Sequence, residues 1–155
     1  MGIAKEAFFL LGKLSLVKEF QGLSVLQLGR QSGIVSARQI SKISKRLKLN
    51  IPNQKHLGTG FYKNYPQGDE LFGILGFTSV DSLDVTDYEG ANVIADLNLP
   101  ISDEQLKNYD LVYDGGTSEH VFNQLQVLAN VHQLLKVGGI VAVHLSTPNG
   151  SVVLD

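Results

Sequence analysis

The chain has 155 residues, of which 43% are hydrophobic and 18% are charged, and its formal net charge is −2 at neutral pH. This composition is ordinary for a folded domain with a core of its own, and it excludes an intrinsically disordered chain. The sequence contains no cysteine, which excludes disulfides, thiolate zinc sites and a cysteine nucleophile. Its four histidines have no metal-site spacing, so we expect no bound metal.

Apolar residues at helical spacing predict an amphipathic helix over residues 3–20. The longest unbroken apolar run at this end, residues 7–11, is too short to span a membrane, and no secretory cleavage pattern follows it. We therefore expect a cytoplasmic protein that does not enter a membrane.

After this helix, short apolar runs alternate with amphipathic segments. The predicted strands cover residues 24–28, 79–83, 92–95, 110–113 and 140–145. The predicted helices cover residues 36–48, 68–77 and 119–136, with a short one beginning at Ser102. This alternation predicts an α/β fold, a Rossmann-like three-layer sandwich with a mostly parallel sheet of about five strands. We treat residues 1–155 as a single domain, with an N-terminal helix in 1–22 and an insertion of loop and short helix in 49–76.

The longest predicted helix, over residues 119–136, carries an apolar stripe. The residues that we expect to be buried are Val121, Leu125, Leu128, Val131 (or His132) and Leu135. The glycine pair that follows Lys136 and Val137 predicts the end of the helix.

Charge is distributed unevenly along the chain. Eight basic residues and no acidic one lie between Arg30 and Lys63. Such a segment is either a solvated face or a surface that attracts an anionic substrate. No aromatic-rich RNA-binding motif accompanies it, so we do not expect nucleic acid as a partner.

Small or acidic residues follow four of the predicted strands: Gly29, Asp84, Asp96 and the Asp114-Gly115 pair. In parallel sheets, ligands bind beyond the carboxyl ends of the strands, so we expect these residues to surround one crevice. A glycine lets a ligand approach the backbone, and an acid after the second strand can accept hydrogen bonds from ribose hydroxyls. The pattern suits a ligand that contains adenosine.

The segments SVLQLG, SLDVTDYEGANVIADLNLP and YDLVYDGGTSEHV, with the later LLKVGG and TPNG, carry a family resemblance. Together they resemble the class I S-adenosylmethionine-dependent methyltransferases, over about residues 24–149 and most strongly over 109–149. The resemblance implies S-adenosylmethionine as cofactor and methyl transfer to a small-molecule or glycan-like acceptor. It also implies a set of cofactor-binding residues, which are Gln27 and Gly29 in the cofactor loop, Asp84 at the ribose, Val85, Asp96 and Leu97 at the adenine, and Asp114 and Gly115 beside the methionine part.

Glu119 and His120 are the acid–base candidates for catalysis, because they follow the glycine-rich turn and an imidazole titrates near neutral pH. Alternatively, the pair caps the following helix. His144 lies inside a predicted strand, where we expect a core or loop-facing histidine whose hydrogen bonds are satisfied.

The first loop departs from the family pattern, because Gln27 replaces the usual acid and Gln31 replaces a glycine. The alternative is therefore a catalytically inactive methyltransferase-like binding or scaffold module that has lost cofactor binding. The chain stops at Asp155, so we also expect a sheet without the family's usual C-terminal antiparallel hairpin. Its last strand, 140–145, would then be an exposed edge open to self-association.

Overall fold

A computed structural model describes residues 2–51, 65–102, 107–147 and 150–154. In chain order the strands are β1 Gly2–Ile3, β2 Ser24–Leu28, β3 Ser32–Gly33, β4 Ser79–Asp84, β5 Val93–Ile94, β6 Tyr109–Asp114, β7 Leu135–Thr147 and β8 Gly150–Leu154. The helices are α1 Lys5–Val17, α2 Ala37–Leu47, α3 Gly68–Ile74 and α4 Gln124–Leu134, with a 3₁₀ turn at Ser118–His120. None of the helices in these ranges is long and apolar enough to cross a membrane.

The chain divides into two compact units, each made of two segments. The first unit comprises Met1–Gly22 and Gln31–Thr78, and the second comprises Leu23–Arg30 and Ser79–Asp155. The first therefore holds α1, α2, α3 and the short parallel pair of β1 with β3. The second holds the main sheet and α4.

Local sequence explains the helices of the first unit. Ala7, Phe8 and Leu11 form the buried face of α1, as their spacing predicts. The helix α2 begins where Ser36 accepts a hydrogen bond from the Gln39 amide while the Gln39 side chain accepts one from the Ser36 amide. This reciprocal capping box satisfies two backbone donors at the start of the helix.

The second unit is built on a six-stranded sheet in the order β5-β4-β2-β6-β7-β8. All pairings are parallel except that of β7 with β8, which is antiparallel. The chain builds the sheet outward from β2 through β4 to β5, and then returns to place β6 and β7 on the other side. This is the order of a doubly wound sheet whose direction switches between β2 and β6. The predicted α/β class and the mostly parallel sheet of about five strands are confirmed.

One expectation about this sheet is wrong. The fifth parallel strand, β7, does not form the edge of the sheet, because β8 pairs with it. The pairing extends from Thr147 opposite Gly150 to Val143 opposite Leu154. The sheet therefore has an antiparallel hairpin at this end. Self-association through the last strand stays a prediction, and it would now concern the edge of β8.

Apolar residues of α4 and of the parallel strands form the core of the second unit. Its buried members are Leu26, Leu28, Leu83, Leu97, Ile101, Tyr109, Val112, Val127, Val131 and Leu134. The predicted buried stripe is confirmed for Val131 and is wrong for two leucines, since Leu125 is 80% exposed and Leu128 is 67% exposed. Val121 and Leu135 are partly buried and pack against the core. The helix also starts later than predicted, at Gln124, because Asn123 caps it by accepting a hydrogen bond from the Gln126 amide.

A buried amide fixes the face that α4 turns toward the core. The Asn130 side chain donates to the carbonyls of Leu97 and Leu99 at 3.2 and 2.9 Å and accepts from the Ile101 amide at 3.3 Å. It is fully buried, and burying an amide without such partners would cost about 1–3 kcal/mol. These bonds hold the segment after β5 against α4.

Two sequence predictions fall outside the described residues. Most of the long loop predicted within residues 49–67 lies in 52–64, together with two of the eight basic residues, Lys55 and Lys63. The short helix predicted from Ser102 falls largely on 103–106.

Candidate functional site

The carboxyl ends of β4, β2 and β6 lie at one level of the sheet in the second unit, and the neighbouring β7 passes this level before it ends at Thr147. Leu28 of β2 pairs with Leu83 of β4 and with Asp114 of β6, and Asp114 in turn pairs with Val143 of β7. The next residue of the chain after each of these four is Asp84, Gly29, Gly115 and His144. We call these four residues the strand-end row.

Two side chains of the row stand on the same face of the sheet. The level two residues earlier holds four paired residues on that face, Ser82, Gln27, Tyr113 and Ala142. Side chains alternate along a strand, so Asp84 shares the face of Ser82 and His144 shares the face of Ala142. The two positions between Asp84 and His144 are glycines, which have no side chain of their own, and both glycines are buried.

Gly29 requires the conformational freedom of glycine. Its φ is +65° and it is buried, a backbone conformation that is costly for a residue with a Cβ. Its amide donates to the Leu83 carbonyl at 2.7 Å. The hydrogen bonding between β2 and β4 thus continues up to the strand-end row.

Asp84 ends β4 and is half-buried. Its Oδ1 accepts a hydrogen bond from the amide of Val85 at 2.7 Å. Within the described part of the chain, Oδ2 accepts no hydrogen bond. Val85 itself is 62% exposed. An ionised carboxylate with one unused oxygen, beside an exposed apolar side chain, can accept hydrogen bonds from ligand hydroxyls.

Arg30 comes directly after Gly29 in the chain, and its side chain is hydrogen-bonded to the loop after β4. Its Nη1 donates to the carbonyls of Glu89 and Gly90, each at 3.0 Å. Gly90 has a φ of +82°, and a Cβ added there would lie 2.2 Å from Arg30 Nη1. The guanidinium therefore packs directly against this loop.

Asp114 is buried, and its carboxylate accepts hydrogen bonds from the turn that follows it. Oδ1 accepts from the amides of Gly116, Thr117 and Ser118 at 3.1, 2.8 and 3.3 Å, and Oδ2 accepts from the Ser118 hydroxyl. Thr117 adds a bond from its hydroxyl to the Leu28 carbonyl at 2.6 Å. Asp114 thus shapes the turn that carries Gly115.

The acid–base candidates lie on the 3₁₀ turn rather than inside the long helix. Glu119 and His120 are both exposed, and His120 Nε2 lies 3.6 Å from Glu119 Oε1. The alternative that they cap α4 is wrong, because Asn123 caps that helix.

The two residues predicted at the adenine after β5 have different surroundings. Asp96 is exposed, and its Oδ1 accepts from the amide and the side chain of Asn98, both at 2.9 Å. These bonds lower the pKa of Asp96. Leu97 is 5% exposed and packs in the core. The Leu97 side chain therefore packs beneath the site, and a ligand could contact only the backbone of this residue.

Gln27, the remaining predicted residue, is fully buried and donates from Nε2 to the Ser82 hydroxyl at 3.3 Å. Next to it across the sheet, the Tyr113 hydroxyl is shielded from solvent. Burial, reinforced by the charge of Asp114, raises the pKa of this phenol. The structure thus places a row of buried polar side chains directly below the strand-end row.

Sequence reasoning missed the character of His144. This residue is 6% exposed, and its Nε2 has no hydrogen-bond partner among the described residues. The burial expected of a core histidine is confirmed, whereas the expected hydrogen bond of Nε2 is missing among the described residues. The alternation of β7 together with the alignment of the strand ends would have identified its position. No group of three or more acidic or histidine side chains suited to a metal ion occurs in the part of the chain that the structure describes.

Comparisons with known proteins match this chain to a solved structure, but to no family model or curated protein. Among solved structures, the trans-methyltransferase CalH, crystallised in complex with SAH, matches with a TM-score of 0.47 and 17% sequence identity. The match covers 93% of this chain and 36% of that one. The chain therefore spans about a third of the length of the solved structure that it matches.

Proposed function

We propose that this chain binds S-adenosylmethionine at the strand-end row and transfers its methyl group to a small-molecule or glycan-like acceptor. The observation that carries the proposal is the alignment of Asp84, Gly29 and Gly115 at one level, beside the switch point between β2 and β6. Ligands of doubly wound sheets bind at this place. The sequence resemblance over residues 24–149 supplies the identity of the ligand.

Asp84 is the ribose-binding residue of the proposal. An acidic side chain after the second strand of such a sheet accepts hydrogen bonds from the ribose hydroxyls. Asp84 fits this role chemically, because its Oδ2 is not engaged by any described residue and its neighbour Val85 presents an apolar surface for the adenine. Asp96 extends the adenine side, where an acceptor oxygen suits the exocyclic amine.

The two glycines of the row are the cradle for the rest of the cofactor. Gly29 and Gly115 have no side chain, so a ligand can lie directly on the backbone between β2 and β6. Asp114 supports the cradle from beneath, because its carboxylate holds the following turn through three backbone amides.

The cofactor brings a methyl group on a positively charged sulfur, which is already activated for transfer. The chain's residues then have two tasks, which are to align the acceptor with that methyl group and to take up the acceptor's proton. We assign the second task to His120, assisted by Glu119 at 3.6 Å. An exposed imidazole on the turn beside Gly115 can accept a proton from a hydroxyl or an amine.

A specific observation favours the second candidate function, a methyltransferase-like module without catalysis. Gln27 is committed to Ser82, and the Arg30 guanidinium contacts the loop at Glu89 and Gly90 just after Asp84. A side chain in that place competes with a ligand for the space beside the ribose position.

Isothermal titration calorimetry with S-adenosylhomocysteine distinguishes the two functions. The methyltransferase proposal predicts saturable binding to the full chain that is competed by S-adenosylmethionine. Heat of dilution alone, from a chain that circular dichroism shows to be folded, would support the non-catalytic module.

A further inference from the structure

We infer that the imidazole of His144 binds the amino-acid end of the cofactor, through a hydrogen bond from or to Nε2. This inference rests on the proposed function, since it takes the ribose to lie at Asp84. It assigns a ligand-binding role to a residue of β7 for which the sequence predicted only a core or loop-facing position.

The first support is the position of His144 in the strand-end row. Asp84 and His144 stand at the two ends of the row on one face of the sheet, and the glycines Gly29 and Gly115 lie between them. A ligand that starts at Asp84 and lies across the glycines arrives at β7. The side chain that β7 presents there is His144.

The second support is the state of the imidazole. His144 is more than nine-tenths buried, and Nε2 lacks a hydrogen-bond partner in the described part of the protein. Buried polar side-chain atoms are hydrogen-bonded in the large majority of cases, so each exception calls for an explanation. A bound polar group explains it, because that group would replace the water that Nε2 has lost.

The third support is length. Neighbouring strands lie about 4.8 Å apart, so β4 and β7 are about 14 Å apart at this level. A hydrogen bond of about 2.8 Å at each end leaves about 8 Å for the ligand. In the proposed cofactor, an extended chain of carbons and sulfur joins the ribose hydroxyls to the amino-acid group. The length of about 8 Å suits the distance between these two polar ends. Nε2 can donate to the carboxylate or accept from the ammonium group.

Two probes that share the adenosine test the inference. S-Adenosylhomocysteine carries the amino-acid group, whereas 5′-methylthioadenosine carries the same nucleoside and sulfur without it. We expect His144→Ala to weaken binding of S-adenosylhomocysteine about tenfold or more while leaving the affinity for methylthioadenosine within about twofold. His144→Gln, which keeps a hydrogen-bonding group, should recover part of the loss. His132→Ala on α4, at an exposed position, is the matched control and should change neither affinity.

A measurement on the unmodified chain keeps the test decisive if the variants fold poorly. The imidazole ¹⁵N signal of His144, followed by NMR, should move when S-adenosylhomocysteine is added and stay in place with methylthioadenosine. Equal loss of both ligands in His144→Ala, or an imidazole signal indifferent to S-adenosylhomocysteine, would overturn the inference. A wild-type chain that binds neither probe would instead overturn the proposed function.

Discussion

The hydroxyl of Thr117 donates to the main-chain carbonyl of Leu28 at 2.6 Å. This bond joins the turn after β6 to the last residue of β2, the two strands between which the direction of the sheet switches. Thr117 also donates its amide to the buried carboxylate of Asp114. The geometry of the glycine cradle therefore depends on a threonine that no sequence motif singled out.

Replacing Thr117 by valine, which has nearly the same shape, tests this link. Thr117→Val removes the hydroxyl donor from the Leu28 carbonyl, so we expect the free energy of unfolding to fall by about 1 kcal/mol. Thr117→Ser retains the donor and should lose less. Urea denaturation of the three proteins measures both changes, and equal stability of wild type and Thr117→Val would show that the bond contributes nothing.

The face of α4 gives a matched pair of leucine substitutions. Leu134 is fully buried and Leu125 is 80% exposed. We expect Leu134→Ala to reduce the free energy of unfolding by about 2–5 kcal/mol, because it removes buried apolar contacts and leaves a cavity. Leu125→Ala should change it by less than about 0.5 kcal/mol. The opposite ranking in chemical denaturation would restore the burial pattern that sequence periodicity predicts.

Asp110 should make stability depend on pH in the acid range. Burial alone would raise the pKa of Asp110, but hydrogen bonds from Lys136 at 2.8 Å and from Ser24 outweigh it and lower this pKa to about 2. Because the folded-state pKa lies below the ordinary value of 3.8, the stabilisation is present above about pH 4 and is lost as the pH falls toward 2.

The comparison with Asp110→Asn isolates this effect. We expect wild type to exceed Asp110→Asn in the free energy of unfolding near neutral pH, and the difference to shrink between about pH 5 and pH 2. Asp87→Asn, at an exposed position, is the control. It shows how the free energy of unfolding changes when one carboxylate is lost elsewhere. Urea titrations at several pH values measure the difference, and a constant difference across this range would contradict the assignment.

Sequence patterns predicted β2, β4 and β6 to within one residue because their signals are local, whereas β7 begins at Leu135, inside the helix predicted over 119–136. The run SVLQL matches β2 from end to end, and DLVY lies within β6. Parallel strands buried on both faces appear as continuous apolar runs, and the residue after each run marks the carboxyl edge of the sheet. The positions of Gly29, Asp84 and Asp114 at one edge follow from these local signals and from the parallel direction of the strands.

The errors arose where distant contacts decide the structure. Apolar spacing alone placed Leu125 and Leu128 in the core, whereas the buried face of α4 is centred on Asn130, a polar residue whose partners lie about 30 residues earlier in the chain. The antiparallel partner of β7 was missed for a similar reason. Whether a strand is an edge depends on pairing, which composition does not report.

The central claim is that Asp84 binds the ribose of S-adenosylmethionine, while the rest of the cofactor lies on the glycines of the strand-end row. Calorimetric titration of S-adenosylhomocysteine into wild type, Asp84→Asn and Asp87→Asn tests it most directly, because the two variants lose the same charge within one loop region. We predict saturable binding to wild type and Asp87→Asn with equal affinity, and binding at least about tenfold weaker to Asp84→Asn. Equal affinity of all three proteins, or no binding to folded wild type, would contradict the account.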